Sequence, residues 1–349
     1  MTSSKALSDL FGIEIPIVQA PMAGVQDHAL AVAVCDAGGL GSLPGAMFGP
    51  EALRRELRAL TTKTRRPYNV NFFCHAAPAP DSGRESAWRA VLSRYYEELG
   101  IDPATIPATA TRAPFSREAA DVLAEFQPPI VSFHFGLPAA DLLAKVRSWG
   151  TLILSSATTL AEARWLEDHG VDAVIAQGLE AGGHRGHFLS DTLDDQVDTA
   201  TLVRQIVGQV RLPVLAAGGI GDADGVARAL AQGAAGVQVG TAYLLCPEAT
   251  TSQVHRNALK GPEAGNTEIT TLFSGRPARG LWNRLMRELG PRNPAAPAFP
   301  LAAAALAPLR ARAEALGRAD FSPLWSGRNP AGCRELPART LTLELGSAL

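Results

Sequence analysis

Short apolar runs recur along the chain and alternate with stretches in which apolar residues follow a helical period. The runs are continuously apolar, which is typical of strands that are covered on both faces, as in parallel sheets. Each run is short enough for a strand, and glycine, proline or polar residues bound it. The pattern therefore predicts strands at 16–20, 40–43, 68–73, 130–135, 151–155, 173–177, 213–217 and 236–240.

Amphipathic stretches between these runs predict the connecting helices. Acidic or hydroxyl residues stand at several of their starts, and Gly170 follows one of them as a stop signal. The helices are predicted at 27–37, 50–62, 116–125, 138–148, 159–169, 199–210 and 222–232, with additional ones at 85–99, 281–289 and 301–316.

Eight strand–helix units in about 250 residues favour an α/β fold of the closed (β/α)8 TIM-barrel type. The alternative is a doubly wound open sheet, but no GxGxxG motif follows the first strand. Two regions are longer than ordinary connections: an insertion after strand three and a C-terminal helical extension. We expect residues 1–73 and 116–260 to form the barrel, and 74–115 and 261–349 to cap its mouth.

Composition and charge exclude several classes of partner and function for this chain. The 349 residues carry a formal net charge of −2, so nothing points to nucleic acid or an anionic membrane as a partner. None of the four cysteines forms a CxxC pair, and no metal site is expected. The first residues lack the apolar core of a signal peptide, and no apolar run approaches the ~20 residues that span a bilayer. We therefore expect a cytoplasmic enzyme.

Candidate chemistry concentrates in the loop after the sixth strand, 177–187, with the sequence QGLEAGGHRGH. Glycine lets main-chain N–H groups approach a ligand closely, because no Cβ intervenes. His184 follows the pair Gly182 and Gly183 and can direct a titratable nitrogen at that ligand. We predict that His184 is the reactive histidine, with His134 in SFHFG as the competing candidate or as a residue that contacts the ligand.

The other candidates lie at the carboxyl ends of the strands, where barrels of this kind place their active sites. Loops after the last two strands offer free N–H groups and favour an anion such as phosphate, and the residues are Gly218, Gly219, Gly240 and Thr241. Amides at Asn71 and Gln177 suit the polar edge of a flavin or a purine. The turn after the first strand would place main chain and a soft thioether against a flat ring, through Pro21, Met22, Ala23 and Gly24.

These residues resemble the nitronate monooxygenase family, formerly called 2-nitropropane dioxygenases. The segments AGGHRG and SGRPARG are typical of the subgroup that oxidises alkyl nitronates, whereas QAPM and AAGGI are shared with other flavin barrels, among them FMN-dependent enoyl-acyl-carrier-protein reductases. The matching segments are QAPMAG (19–24), NVNFF (69–73), SFHFG (132–136), QGLEAGGHRG (177–186), LAAGGIGD (215–222), QVGTAYLLCPEA (238–249) and SGRPARG (274–280).

The resemblance implies a non-covalently bound FMN and the oxidation of a nitronate by O₂ to a carbonyl compound and nitrite. His184 matches the catalytic histidine of the family, and a base is needed only when a neutral nitroalkane must lose its α-proton. The residues that the resemblance assigns to FMN binding are Asn71, Gln177, Gly182, Gly219, Gln238, Val239, Gly240 and Thr241.

The chain departs from the family in its C-terminal segment, where members often place tyrosines and a lysine near the substrate. Here no tyrosine follows Tyr243 and no lysine follows Lys260, so Arg276 or Arg279 is the candidate for a positive charge at the substrate. Two other functions stay open: an FMN-dependent NAD(P)H:quinone or enoyl-thioester reductase, and a flavin-holding barrel without turnover. The sequence also leaves open the physiological substrate and the oligomeric state.

Overall fold

The structure is a computed structural model that describes residues 3–79, 81–106 and 113–349. Its strands are Ile17–Gln19 (β1), Gly41–Leu43 (β2), Tyr68–Phe73 (β3), Ile130–His134 (β4), Leu152–Ala157 (β5), Ala173–Gln177 (β6), Gly183–His184 (β7), Val214–Ala217 (β8), Gly236–Val239 (β9), Thr267–Thr270 (β10) and Ala278–Leu281 (β11). Its helices are Ser3–Phe11 (α1), His28–Asp36 (α2), Pro50–Lys63 (α3), Ser82–Leu99 (α4), Arg117–Phe126 (α5), Ala140–Arg147 (α6), Leu160–Asp168 (α7), Thr199–Ile206 (α8), Ala223–Ala231 (α9), Gln253–Lys260 (α10), Arg284–Leu289 (α11), Ala302–Ala315 (α12) and Ala338–Leu345 (α13).

Eight parallel strands form one sheet in the order β1-β9-β8-β6-β5-β4-β3-β2. The two ends of that order meet through a parallel bridge between Val18 and Leu40, so the sheet closes into a barrel. All eight predicted strands are confirmed, and so is the closed barrel in preference to the open sheet. The seventh and eighth strands of the barrel are β8 and β9.

Five of the helices around the barrel begin at a capping side chain. Asp27, Ser116, Thr159, Asp198 and Asp222 each accept a hydrogen bond from a main-chain N–H in the first turn of the helix that follows. These caps fix the point at which each of these helices begins, and with it the end of the loop that leads to the helix from the barrel mouth.

Helix α1, which the apolar pattern did not predict, closes the bottom of the barrel. Leu7 and Phe11 are buried together with Val18, Leu154 and Leu215, whose side chains point into the barrel. Apolar side chains therefore fill the amino-terminal end of the barrel, and in barrels of this kind the ligand site lies at the opposite end.

Helix α13 was also missed, and it lies in the outer ring. It packs against α2 and α9, and its residues Leu341 and Leu345 are buried in the main core. The hydroxyl groups of Tyr243 and Thr342 are 2.9 Å apart and join α13 to the segment after β9. Within 261–349, α13 therefore belongs to the ring of helices around the barrel.

The insertion and the rest of the C-terminal extension share a second core. Trp88 and Tyr96 of α4 are buried and donate hydrogen bonds to main-chain oxygens of α12, over 3.2 and 2.7 Å. Glu98 of α4 also pairs with Arg284 and Arg318 of the extension. The assignment of 74–115 and 261–349 as segments that cap the mouth of the barrel stays a prediction. Residues 80 and 107–112 of the insertion lie outside the described part of the chain.

Among the helices formed by the described residues, none combines the length and the apolar character needed to cross a bilayer.

Candidate active site

A cavity of about 180 Å³ opens at the carboxyl ends of the barrel strands. It is lined by loops that follow strands on all sides of the barrel, and by three residues of the C-terminal extension. The predicted site residues that line it are Pro21, Met22, Ala23, Asn71, His134, Gln177, Gly182, Gly183, His184, Gly218, Gly219, Gln238, Gly240 and Thr241.

Three predicted site residues do not line the cavity. Gly24 forms a turn with a φ of 82°. Val239 is buried in the core around the barrel, 1% exposed. The guanidinium of Arg276 lies 4.1 Å above the ring of Phe135 and donates a hydrogen bond to the main-chain oxygen of His187.

At the two glycines after β8, the backbone adopts a conformation that a residue with a side chain could not adopt without strain. Gly218 and Gly219 have φ values of 128° and 70°, in the region that strains L-residues. A Cβ on Gly218 would lie 2.6 Å from the hydroxyl oxygen of Thr199 and 2.8 Å from the N of Ala181. Among the described residues, no hydrogen bond uses the main-chain N–H of Gly219 or Thr241. Both N–H groups are therefore available to an anionic ligand.

The amide side chains of the site have different roles. Gln238 lines the cavity, and its buried Oε1 has no hydrogen-bond partner among the described residues. Leaving a buried acceptor unpaired costs free energy, so we expect a ligand to donate a hydrogen bond to this oxygen. Asn71 donates to the hydroxyl of Ser132 over 3.0 Å. Gln177 is used within the protein: its Nε2 donates to the main-chain oxygen of His184 and its Oε1 accepts from Gly186 N, at 2.9 and 2.8 Å.

The glycine-rich loop 177–187 is held by the segment SGRPARG. Its short strand β7 pairs with β11, with His184 opposite Ala278. Arg185 is fully buried and donates to the main-chain oxygens of Gln177 and Gly178 and to the side chain of Gln196, over 2.7, 2.6 and 2.8 Å. Burial is the main reason that the pKa of Arg185 is lowered to about 9. These contacts give the loop a defined conformation despite its four glycines.

His184 lies between a hydroxyl group and aromatic rings. Its Nε2 is 2.9 Å from the hydroxyl oxygen of Ser274. Its ring centroid is 5.2 Å from that of Phe299, 5.4 Å from that of Trp325 and 6.2 Å from that of Phe73. The imidazole therefore faces the cavity with an orientation fixed by its neighbours.

His134 is held as a neutral imidazole of one tautomer. Its Nε2 is 3.2 Å from the main-chain oxygen of His184, which can only accept, so Nε2 carries the proton. Its Nδ1 is then the acceptor for the hydroxyl of Ser156, at 3.0 Å. Burial lowers the pKa of His134 to about 3, and the charges of Arg276 and Arg185 act in the same direction. His134 thus supports the loop that carries His184.

Arg279, the other arginine predicted as a candidate for a positive charge at the substrate, binds protein atoms. Arg279 donates to Leu179 O over 2.7 Å and to the main-chain and side-chain oxygens of Thr267. Burial is the main cause that lowers the pKa of His187 to about 4. No group of three or more histidine, cysteine, aspartate or glutamate side chains gathers as a metal site within the residues that the structure describes.

The sequence analysis missed the contribution of the segment 325–329, which crosses the mouth of the barrel. Trp325, Gly327 and Asn329 line the cavity. Gly327 N donates to the hydroxyl oxygen of Thr241 over 2.9 Å, and Asn329 Nδ2 donates to Gly219 O over 3.1 Å. The segment therefore braces both glycine loops. Its sequence, WSGRN, has the glycine and polar residues of a loop, but no preceding strand marks its position.

Comparison with known proteins places this geometry in a family. A family model described as nitronate monooxygenase matches residues 4–346. A nitronate monooxygenase from Paraburkholderia phytofirmans is 43% identical over 347 residues, which cover 99% of this chain and 94% of the relative. One from Pseudomonas aeruginosa is 44% identical over 346 residues, covering 96% of this chain and 97% of the relative.

Solved structures agree with these sequence matches. The structure of a nitroalkane oxidase from Streptomyces ansochromogenes has a TM-score of 0.89 and 39% identity, and the match covers 99% of this chain and 97% of that one. FabK from Thermotoga maritima is more distant, with a TM-score of 0.72, 27% identity and coverages of 97% and 94%.

Proposed function

This chain belongs to the nitronate monooxygenase family, whose members depend on flavin, and we propose that it binds FMN and oxidises alkyl nitronates with O₂ to carbonyl compounds and nitrite. The observation that best supports this is the arrangement at the barrel mouth. Unused N–H groups of Gly219 and Thr241 and the unpaired oxygen of Gln238 line the same cavity as His184.

The glycine loops after β8 and β9 fit the single phosphate of FMN. The N–H groups of Gly219 and Thr241 are donors without a protein acceptor, and the backbone at Gly218 leaves no room for a Cβ. Backbone donors next to a helix start favour a doubly charged anion. The phosphate would therefore lie over these two loops, beside the bracing segment 325–329.

The polar edge of a flavin ring fits the amides across the barrel. Gln238 Oε1 would accept from a ring N–H, and Asn71 would add a second amide near Ser132. The turn of Pro21, Met22 and Ala23 would supply an apolar face for the ring. A flavin bound there would supply the redox chemistry, as the acceptor of electrons from the nitronate and their donor to O₂.

His184 is the proposed base for neutral nitroalkanes. A nitroalkane must lose its α-proton to an imidazole nitrogen of His184 before it can be oxidised, whereas a nitronate already lacks that proton. Ser274 and the loop contacts hold the ring in place. His134 cannot act as the base at neutral pH, because its Nδ1 already accepts a hydrogen bond from the hydroxyl group of Ser156.

The test compares His184→Asn with the wild type on nitroethane and on ethylnitronate. General-base help is typically worth ~10²–10⁴-fold, so we expect a loss of that size on nitroethane and a distinctly smaller loss on ethylnitronate. Oxygen consumption is the readout, with flavin counted per chain and identified after denaturation as FMN. His187→Asn is the matched control, because His187 belongs to the same loop but does not line the cavity.

Three results would contradict the proposal. Equal losses on the two substrates would reject His184 as the base. FAD in the denatured supernatant would reject FMN. Rapid anaerobic reduction of the flavin by NADH, with no turnover of nitronates, would favour the NAD(P)H-dependent reductase instead. The cytoplasmic location stays a prediction.

A further inference from the structure

The cavity is uncharged at its surface. Among the described residues that line it there is no lysine, arginine, aspartate or glutamate. Within this described lining, the titratable side chains are those of His134 and His184. A ligand group with a full charge would therefore have to find its partner among main-chain N–H groups or neutral side chains.

The arginines of the loop 177–187 and of the segment SGRPARG (274–280) bind other parts of the protein. Arg185 uses its guanidinium on Gln196 and on two main-chain oxygens of the loop, and Arg279 uses its own on Leu179 O and Thr267. Arg276 is stacked on Phe135 and bound to the main-chain oxygen of His187. Its Nε has no partner among the described residues, but Arg276 does not line the cavity.

These arginines still influence the cavity through their charge. Arg276 and Arg185 both disfavour protonation of His134, so their positive potential reaches the histidine side of the cavity. Such a potential stabilises one delocalised anion, as a nitronate group is, next to His184. It provides no N–H group for a second anion at the far end of the substrate.

Aromatic rings occupy the space around His184 where the rest of the substrate would lie. Phe73 and Trp325 line the cavity, with ring centroids 6.2 and 5.4 Å from that of His184. If the α-carbon of the substrate is next to His184, the carbon chain beyond it must run along these rings. Apolar carbon gains from this contact, whereas a carboxylate there loses its hydration without gaining a cation.

We propose that the site selects nitronates with an uncharged, apolar carbon chain and discriminates against those that carry a carboxylate. This substrate class rests on the proposed nitronate oxidation and makes it more specific. In this proposal no positive charge takes the place of the tyrosines and the lysine that the C-terminal segment lacks, because no arginine is among the described residues that line the cavity.

The experiment measures kcat/KM by oxygen consumption for the nitronates of three matched compounds. These are 4-nitrobutanoate, its methyl ester, and 4-methyl-1-nitropentane, in which two methyl groups replace the carboxylate oxygens. We expect the carboxylate to be used about 10²-fold less efficiently than the apolar isostere, and the ester to be within about tenfold of it. The ester separates the effect of charge from that of polarity.

Arg276→Gln tests the guanidinium whose buried Nε has no partner among the described residues. We expect the ratio of kcat/KM between the carboxylate and the isostere to stay the same in this variant. A selective loss on the carboxylate would identify Arg276 as its partner and overturn the proposal. Equal kcat/KM for the two compounds in the wild type would also overturn it, while leaving nitronate oxidation intact. Failure to oxidise any of the three nitronates would instead reject the proposed function itself.

Discussion

Gly182→Ala should show how far the segment 325–329 supports the site. A Cβ at position 182 would lie 2.6 Å from the main-chain N of Gly327 and 2.6 Å from the carbonyl carbon of Ser326. Neither atom can rotate away, because both belong to the main chain. The segment must therefore retreat by roughly 0.8 Å to restore ordinary van der Waals contact.

That shift would lengthen or break three hydrogen bonds that the segment 325–329 makes. They run from Gly327 N to the hydroxyl oxygen of Thr241, from Arg328 N to Glu180 O, and from Asn329 Nδ2 to Gly219 O, over 2.9, 3.0 and 3.1 Å. A hydrogen bond of this kind contributes about 0.5–1.5 kcal/mol net, so their loss would lower the free energy of unfolding by roughly 2–4 kcal/mol. Two of the acceptors, Thr241 and Gly219, belong to the glycine loops after β8 and β9 that are proposed to hold the phosphate (the phosphate loops). We therefore also expect FMN to bind about 10- to 100-fold more weakly.

Two quantities are measured on the same preparations of the wild type and the variants. Urea denaturation of the flavin-free protein gives the free energy of unfolding, and quenching of FMN fluorescence gives the dissociation constant. Gly265→Ala is the matched control, since a Cβ there meets nothing within 4 Å, and its stability should stay within about 0.5 kcal/mol of the wild type. If Gly182→Ala matches this control in both measurements, the segment does not support the phosphate loops and the reasoning is wrong.

Two further predictions concern buried groups. Arg185→Met leaves the carbonyls of Gln177 and Gly178 without their donor, so the free energy of unfolding should fall by roughly 3–5 kcal/mol. The control is Arg164→Met, because Arg164 is exposed. If the two variants had equal urea midpoints, the role assigned to Arg185 would be contradicted. His187 and His255 have pKa values lowered to about 4, mainly by burial, whereas the unfolded chain protonates its histidines near pH 6.5. The unfolded state therefore binds more protons below that pH, and stability that is complete above about pH 6.5 should fall toward pH 4 by about 1.4 kcal/mol per pH unit for each histidine. Urea titrations from neutral to acid pH should show a shallower slope for His255→Gln, and an unchanged slope would refute the assignment.

The local pattern of the sequence determined the barrel and most of the cavity wall. Continuous apolar runs require strands that are covered on both faces, and eight of them with intervening helices leave few arrangements other than a closed barrel. That topology brings the carboxyl ends of all strands together. The sequence alone could therefore assign residues that are far apart along the chain to one site. Examples that line the same cavity are Met22, Asn71, His134, Gly219 and Thr241.

Only the tertiary structure decided what each candidate contacts. Gln177 was predicted to bind a cofactor edge, yet both ends of its amide hold the loop that carries His184. Arg276, predicted to meet the substrate, is stacked on Phe135.

The segment 325–329 and helix α13 reach their places through contacts with residues more than 80 positions away, such as Gly327 with Thr241 and Thr342 with Tyr243. Such contacts depend on the path of the whole chain in space. Apolar periodicity reports only which face of an element is buried and carries no information about its partner.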